Sequence, residues 1–219
     1  MNQLLIATNN KGKIRELHDL LSDTGIELVT PARIHVDLDV LEDGSTYAEN
    51  AAKKATAFAQ ASGLISLADD SGLEVDALDG APGLYSARYG STNGEKLSDA
   101  GRRQFLLHQL RDKSRPWTAR FHATIAIAIP EPLWSQAASR LGVQEPAPGF
   151  QIFEGYCEGE ILPEERGDGG FGYDPLFLLP ELGKTMAELS MDEKNRLSHR
   201  ARAVIKAKPF LQLLFSNAG

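Results

Sequence analysis

The stretch at residues 64–78 reads LISLADDSGLEVDAL. An apolar run leads into two adjacent carboxylates, Asp69 and Asp70, and alternating apolar residues follow a Ser-Gly pair. This pattern predicts a buried strand, an acidic turn and a second strand, with both carboxylates at the end of the first strand. Two like charges there cost free energy unless a cation or hydrogen-bond donors compensate them, so a divalent metal is a candidate ligand. Residues 69–72 are also typical of an ordinary β-turn, and the stretch taken alone favours a turn over a metal site.

The composition is that of a soluble globular protein. The chain has 219 residues, of which 42% are hydrophobic and 24% charged, enough for one substantial core. Its one cysteine, Cys157, excludes an intramolecular disulfide. A signal sequence and a run of about twenty apolar residues are both missing. We therefore expect a cytoplasmic protein that does not bind a membrane.

The distribution of charge points to a small anionic ligand. The net charge of −7 argues against binding to a nucleic-acid polymer. Basic residues are nevertheless bunched near residues 11–15, 53–54 and 194–208. Such local clusters suit a small polyanion held in a pocket, although each cluster alone is also typical of a solvated helix face.

The first strand and helix form a candidate anion site. Residues 3–7 are predicted as a buried strand, and residues 8–13 (TNNKGK) lead into a helix that Asn9 or Asn10 can cap. A polar turn at a helix N-terminus, with Lys13 in the first turn, favours an anion. The pattern is not a Walker A loop, because Ala7 and Ile14 replace its glycine and its Ser/Thr. A capped helix that happens to carry lysines remains the alternative.

The remaining pattern predicts further helices and strands. A capping box at residues 46–49, closed by Glu49, opens a helix to Ser62 that carries Lys53 and Lys54. A helix over 98–110 and strands over 26–30, 118–129 and 151–158 follow from periodicity. Residues 130–149, rich in Pro, Ala and Ser, are predicted as a surface insertion.

A glycine-rich stretch near the C-terminal end is a candidate ligand loop. Residues 167–175 read GDGGFGYDP. Four glycines permit close approach of backbone to a ligand, and Phe171 and Tyr173 can stack on a base. A turn covered by two aromatic residues is the alternative. A strand is predicted to follow over 175–179.

A basic segment follows the capping box at residues 190–193. In one straight helix, His199 and Arg200 would point about 140° and 240° away from Lys194. If these three side chains contact one ligand, the helix must break near Ser198. A second helix would then run from Ser198 through Ala207.

Six motifs occur along the chain in the following order: Thr8-x-Asn10-x-x-Lys13, Glu49-Asn50-Ala51-x-x-Lys54-Ala55, Ala68-Asp69-Asp70-Ser71-Gly72, Gly80-Ala81-Pro82-Gly83-x-x-Ser86-Ala87-Arg88, Gly170-Phe171-Gly172-Tyr173-Asp174-Pro175 and Ser198-His199-Arg200. Taken together, these motifs resemble the inosine triphosphate pyrophosphatase family, also called the XTP/dITP diphosphatases. The combination spans nearly the whole chain. The insertion at 130–149 is longer than this resemblance leads us to expect.

The resemblance implies a fold, an activity and a partner. The expected fold is α/β, an elongated mixed β-sheet with flanking helices that form two lobes around a central substrate cleft, in one bilobal domain over residues 1–219. The expected activity is hydrolysis of ITP, dITP and XTP to the monophosphate and pyrophosphate, which removes them from the nucleotide pool. The expected cofactor is Mg²⁺, and the expected assembly is a homodimer.

The resemblance also implies roles for particular residues. Asp70 is expected to be the catalytic base and, with Glu42, a metal ligand. The substrate-binding residues implied by the resemblance are Thr8, Asn9, Asn10, Lys11, Gly12, Lys13, Lys54, Ser71, Phe171, Gly172, Tyr173, Asp174, Lys194, His199 and Arg200. Asp69 is expected to support Asp70.

Base selection has a physical basis, because hypoxanthine and xanthine present a 6-oxo acceptor and an N1–H donor, the reverse of adenine. A buried site built for that pattern leaves its own groups unpaired when ATP enters. Arg200, His199 and backbone amides near Tyr173 are the groups expected to recognise the base.

Two other functions stay open, a nucleotide-binding module without turnover and a metal-dependent phosphomonoesterase.

Overall fold

The computed structural model describes residues 2–91, 95–143 and 149–216. The strands in those ranges are β1 (Gln3–Ile6), β2 (Glu27–Val29), β3 (Ile65–Val75), β4 (Trp117–Ala128), β5 (Phe150–Ile161), β6 (Phe177–Leu179) and β7 (Lys184–Thr185). The α-helices are α1 (Lys11–Leu21), α2 (Tyr47–Ser62), α3 (Asp99–Leu110), α4 (Trp134–Leu141), α5 (Met191–Leu197) and α6 (His199–Phe215). In the described ranges, none of the helices has the length and hydropathy that crossing a bilayer requires.

The strands form one mixed sheet in the order β2-β1-β3-β4-β5-β6-β7. Strand β1 pairs in parallel with both β2 and β3, whereas β6 pairs antiparallel with β5 and β7. The parallel pairs require crossover connections, which α1 and α2 supply. Of the antiparallel pairs, β6 and β7 are joined by the short segment 180–183, whereas the longer segment 162–176 joins β5 to β6. The predicted α/β class with a mixed sheet and flanking helices is confirmed. The predicted bilobal domain around a central cleft stays a prediction.

The chain divides into two compact units, of which the first comprises Met1–Asp70, Ala123–Gly155 and Arg200–Gly219. Two apolar clusters fill this unit. One packs Leu67 of β3 with Leu17 of α1 and Val204 of α6. The other packs Ala68 of β3 with Ala55 and other small residues of α2. Because successive side chains of a strand point to opposite faces, β3 carries helices α1 and α6 on one face and α2 on the other.

The second unit comprises Ser71–His122 and Tyr156–His199. Its core joins Leu106 of α3 to Phe121 of β4 and Phe177 of β6. The rings of Phe121 and Phe177 lie 4.4 Å apart between centroids. This core fixes the strands and helices that carry the loop at residues 170–174.

The acidic turn predicted at residues 69–72 is wrong. Strand β3 continues through this segment for eleven residues, from Ile65 to Val75. Turn propensity is local and weak, whereas β3 lies inside the sheet between β1 and β4, so its place in the sheet overrides the Asp-Ser-Gly composition. Asp69 and Asp70 therefore lie within one strand and point to opposite faces.

Most of the other predicted elements are present with small shifts at their ends. The predicted break at Ser198 is confirmed, since Ser198 is extended (φ −67°, ψ 155°) between α5 and α6. Helix α6 continues to Phe215 rather than ending near Ala207. At the start of α2 the Thr46 hydroxyl accepts the N–H of Glu49, and the Glu49 carboxylate reaches back to the backbone of Thr46, as predicted, and also to the backbone N–H of Ser45. Residues 130–149 contain helix α4, and residues 144–148 lie outside the described residues.

Candidate functional site

The predicted site residues fall into two groups, one in each unit. The first unit contains Thr8 to Lys13, Glu42, Lys54, Asp70 and Arg200. The second unit contains Ser71, Phe171 to Asp174, Lys194 and His199. Ser71 is half-buried in β3, directly after Asp70.

The parallel register of β1 and β3 explains how the first group is assembled. Ile6 of β1 pairs with Leu67 of β3, and Ala7 donates its N–H to the carbonyl of Leu67. Beyond this pair β1 ends and α1 begins, while β3 continues to Asp69 and Asp70. The two carboxylates therefore lie beside the N-terminus of α1, from which Lys13 reaches them.

The turn between β1 and α1 is held by its own polar side chains. Asn10 caps α1, because its Oδ1 accepts from the N–H groups of Gly12 (2.9 Å) and Lys13 (3.1 Å). The Oγ1 of Thr8 accepts from the N–H of Asn10 at 3.2 Å. Asn9 and Lys11 are exposed. Sequence analysis left Asn9 and Asn10 open as the cap, and the structure selects Asn10.

Asp69 is the centre of a buried ion cluster, which consists of Asp69, Arg200, Glu16 and Lys13. The Asp69 side chain is 0% exposed and that of Arg200 is 1% exposed. The guanidinium of Arg200 donates to Asp69 Oδ2 at 2.9 Å and also bonds to the Glu16 carboxylate. Lys13 Nζ lies 2.5 Å from Asp69 Oδ1 and 3.0 Å from the Asp69 carbonyl oxygen. Two cations and two anions thus neutralise one another in the interior.

The pKa of Asp69 follows from these partners. Burial alone would raise the pKa of this carboxyl, but the nearby charges of Arg200 and Lys13 and their hydrogen bonds outweigh burial and hold it well below its usual range. Conversely, burial disfavours the Arg200 cation, while Asp69 and Glu16 raise its pKa and keep it charged. Asp69 is therefore a buried carboxylate whose ionised form is stabilised by the two cations that it pairs with, Lys13 and Arg200.

Asp70 lies on the opposite side of β3 in a different environment. Burial raises its pKa, and the negative charge of Glu42 raises it further. Lys13, Lys54 and a hydrogen bond from the Asn50 side chain oppose this shift without cancelling it. A carboxylate that is buried, half-compensated and raised in pKa is better suited to accept a proton than an exposed one.

Glu42 is held beside Asp70 by helix α2. Lys54 Nζ forms an ion pair with Glu42 Oε1. Asn50, one turn earlier on α2, accepts the N–H of Gly44 at 2.8 Å, and Lys53 Nζ lies 2.5 Å from Asp43 Oδ1. Lys54 and Asn50 thereby hold Glu42 and Gly44 against the helix, whereas the exposed Lys53–Asp43 pair contributes little. We name Asp70, Glu42, Lys13 and Lys54 the acid–lysine cluster.

The second group is built on the glycine–aromatic loop, residues 170–174. The carboxylate of Asp174 accepts the N–H of Phe171 at 2.9 Å and the Lys194 ammonium at 2.6 Å. The same ammonium lies 5.2 Å from the centre of the Phe171 ring, within range of a cation–π interaction. Lys194 and Asp174 are both buried, so their charges compensate each other. Asp174 therefore closes the loop, and Lys194 contacts both ends of it.

Two further predicted residues are held by packing. The Tyr173 hydroxyl donates to the carbonyl of Ser86 at 2.9 Å, and burial raises the pKa of Tyr173 well above its usual value. His199 stacks on Phe121, with ring centres 4.7 Å apart and planes 16° apart. The loop and the histidine thus have fixed positions within their unit. Contact of the second group with a base stays a prediction, as does contact of Arg200.

A substitution at Gly170 tests how closely the glycine–aromatic loop is packed. Its φ is +71°, and an added Cβ would lie 2.1 Å from Asp174 Oδ2. We expect Gly170→Ala to lower the free energy of unfolding by more than the roughly 1–2 kcal/mol that a left-handed alanine costs, because Asp174 must also move. Urea unfolding measures this, with Gly183→Ala as the matched control, since Gly183 has φ +64° and open space around its Cβ. Equal losses in the two variants would contradict the packing argument.

Several residues that organise the site had no predicted role. Glu16 carries a signal that could have revealed it, because it lies three residues after Lys13 and next to Leu17, at the edge of the apolar face of α1. Asn50 occurs in a quoted motif, but no role was given to it. Asp99 and Arg103 of α3 bond to Gly172, a contact between residues about seventy positions apart that no local pattern signals.

Comparison with known proteins gives a consistent picture. A model described as the Ham1 family matches residues 4–210. The chain is 46% identical over 214 residues to a dITP/XTP pyrophosphatase of Desulforamulus reducens, covering 97% of both chains. It is 47% identical over 208 residues to a dITP/XTP pyrophosphatase of Gloeobacter violaceus, covering 94% of this chain and 92% of the relative.

Solved structures give the same result. A HAM1 protein from Coxiella burnetii superposes with a TM-score of 0.79 at 39% identity, covering 96% of this chain and 98% of that one. The Ham1 protein of Staphylococcus aureus gives a TM-score of 0.77 at 38% identity, with the same coverage. Sequence and fold similarity therefore extend over nearly the full length of the chain.

Proposed function

The chain belongs to the Ham1 family, and we propose that it hydrolyses the deaminated purine nucleoside triphosphates ITP, dITP and XTP to the nucleoside monophosphate and pyrophosphate. Relatives of about this similarity carry the name dITP/XTP pyrophosphatase. The observation that carries the proposal is the acid–lysine cluster beside the N-terminus of α1. It combines a carboxyl group of raised pKa with two ammonium groups at one place.

In this proposal, different residues of the acid–lysine cluster assist different parts of the cleavage of the bond between the α- and β-phosphates. Asp70 is placed to accept the proton of an attacking water, for which its raised pKa is favourable. Lys13 and Lys54 can stabilise the negative charge that passes to the leaving pyrophosphate. The N-terminus of α1, with its positive dipole end, favours the same anion. In this proposal residues 8–13 and Lys54 bind the triphosphate.

The donor set also fits a magnesium ion held by Asp70 and Glu42. Mg²⁺ binds oxygen ligands and needs only one or two carboxylates when substrate phosphates supply further ligands. Within residues 2–91, 95–143 and 149–216 no group of three or more His, Cys, Asp and Glu side chains forms a complete metal cage, so a two-carboxylate site completed by substrate is the fitting arrangement. A cation there would also relieve the repulsion between Asp70 and Glu42. When bound, Mg²⁺ would neutralise charge on the phosphate oxygens.

We propose that the second group contacts the nucleoside. Phe171 offers an aromatic face, and Ser71, Lys194, His199 and the remaining loop residues supply polar groups. Two of the backbone amides near Tyr173 that were expected to bind the base already have hydrogen-bond acceptors. The N–H of Phe171 donates to Asp174, and the N–H of Gly172 donates to Asp99. Arg200 pairs with Asp69 and Glu16, and its contact with the base stays a prediction.

A nucleotide panel tests the proposed function. We expect the protein with Mg²⁺ to release pyrophosphate from ITP, dITP and XTP, and to act on ATP at least tenfold more slowly, with GTP and dTTP completing the panel. The discrimination against ATP should be large, because a site that pairs with a 6-oxo group and N1–H rejects the reversed pattern by roughly 10⁴-fold at best. Orthophosphate as the first product would identify a phosphomonoesterase. Binding of ITP without products would identify a nucleotide-binding module.

We further propose that the protein acts as a cytoplasmic homodimer. The family resemblance supports a dimer, and the single cysteine is compatible with a reducing compartment. Sedimentation equilibrium over a range of protein concentrations measures the assembly state. A monomer at micromolar concentration would contradict the dimer.

A further inference from the structure

We propose that Asp99 and Arg103 of α3 are positioning residues that fix the glycine–aromatic loop for nucleoside binding. This inference rests on the proposed function and deepens it, because it assigns a specificity-supporting role to two residues outside the motifs that carry the family resemblance. Both residues lie within the second unit, as does the loop.

The two side chains hold both peptide groups of one residue. Asp99 Oδ2 accepts the N–H of Gly172 at 2.6 Å, and Arg103 Nη1 donates to the carbonyl oxygen of Gly172 at 2.8 Å. Gly172 has φ +61°, in the left-handed region, and an added Cβ would meet nothing within 4 Å. The backbone there is therefore not fixed by packing around the Cα position. The hydrogen bonds from α3 supply the restraint.

The side chains that hold Gly172 are themselves held. Arg103 also contacts Glu165, with Nη2 at 2.9 Å from Oε2 and Nε at 2.8 Å from Oε1. Asp99 forms an ion pair with Arg102, whose Nη1 donates to the carbonyl of Leu97. These contacts reduce the rotamer freedom of both side chains before any ligand binds.

The hydrogen bonds from Asp99 and Arg103 to Gly172 also restrain the neighbouring Phe171 ring. Gly172 directly follows Phe171, so rotation of the Gly172 peptide groups would turn the Phe171 ring away from its position beside Lys194. On the other side, Asp174 holds the N–H of Phe171. With Asp99 and Arg103 in place, the loop is ordered before the nucleoside arrives, and binding does not bear the full cost of ordering it. The two residues thus act through Phe171, while the reacting phosphates are handled by the acid–lysine cluster.

Steady-state kinetics of the full chain test this inference. We expect Arg103→Ala and Asp99→Ala to raise KM for ITP by roughly three- to tenfold, the range that ordering about one more side chain on binding costs. We expect kcat to stay within about twofold, because Asp70 is untouched. Gln104→Ala, an exposed residue on the same helix, is the matched control and should keep wild-type constants.

Conservative variants distinguish loss of the hydrogen bonds to Gly172 from nonspecific disruption of the structure. Asp99→Asn keeps an acceptor for the Gly172 N–H, and Arg103→Lys keeps one donor for the Gly172 carbonyl. We expect both to restore at least half of the lost kcat/KM. If Arg103→Ala does not fold, Asp99→Ala and Asp99→Asn provide the same comparison. A failure of both conservative variants to restore KM would overturn the positioning role.

A competitor that lacks a nucleoside distinguishes an effect on nucleoside binding from an effect on phosphate binding. Inorganic tripolyphosphate, used as a competitor, should inhibit the alanine variants with an inhibition constant within about twofold of wild type, because it occupies only the phosphate-binding residues. In a Phe171→Ala background, Arg103→Ala should add less than a further twofold to KM, since its effect passes through Phe171. Equal weakening of ITP and tripolyphosphate, additive effects in the double variant, or unchanged KM in folded variants would overturn the inference. A wild-type protein that releases no pyrophosphate from ITP would overturn the proposed function instead.

Discussion

In the Asp70→Asn protein, we expect kcat for pyrophosphate release from ITP to fall by roughly 10²–10⁴-fold, the contribution of a positioned general base. The amide cannot accept the proton of the attacking water at neutral pH. It has nearly the same shape as the carboxyl group and can still accept the hydrogen bond from Asn50. The measurement is the initial rate with Mg²⁺ at saturating ITP. More than a tenth of the wild-type kcat would remove Asp70 from the role of base.

The same substitution should not destabilise the fold. In the absence of Mg²⁺ the pKa of Asp70 is raised above its unfolded value, so the ionised group opposes folding once the pH exceeds that value. A neutral side chain removes this penalty, and urea unfolding in EDTA should give a free energy equal to or above that of wild type at pH 7. Asp43→Asn is the matched control for both measurements, because Asp43 is exposed and paired only with Lys53 among the described contacts. It should keep full activity.

The local parts of the fold could be predicted because local chemistry decides them. The Asn10 and Ser190 caps and the end of α2 at Ser62 depend on residues within one or two turns. The break at Ser198 was predicted on other grounds. The break was predicted on the assumption that Lys194, His199 and Arg200 contact one ligand. In the structure Lys194 pairs with Asp174 of the second unit and Arg200 pairs with Asp69 of the first. The geometry is confirmed, while the shared ligand stays a prediction.

The parts that could not be predicted depend on contacts between distant residues. Asp69 and Arg200 are 131 positions apart, and Glu16 and Arg200 are 184 positions apart. Sequence patterns alone treat the two adjacent carboxylates alike, and only the family resemblance implied that Asp70 is the base and Asp69 its support. Strand geometry adds the physical difference, because it directs the two side chains to opposite faces of β3 with different partners. The roles themselves stay predictions.

The buried ion cluster leads to the second large effect. We expect Arg200→Met to lower the free energy of unfolding by about 3–5 kcal/mol, because removing one partner leaves buried carboxylates without compensation. Asp69 and Glu16 have side-chain exposures of 0% and 5%, so water cannot take the place of the guanidinium. Lys13 would remain the only cation among the members of the cluster. Arg200→Lys should lose less, since an ammonium keeps the charge but cannot bond to both carboxylates in the same geometry.

An exposed ion pair that α6 forms through Lys208 provides the control. Lys208 lies 2.8 Å from both carboxylate oxygens of Asp23, whose side chain is 68% exposed. Lys208→Met removes a cation from α6 just as Arg200→Met does, but solvent can hydrate the carboxylate that remains. Its cost should stay below about 1 kcal/mol. If urea unfolding gives the two variants equal losses, burial does not determine the strength of the cluster, and Asp69 would not be the residue that ties α1, β3 and α6 together.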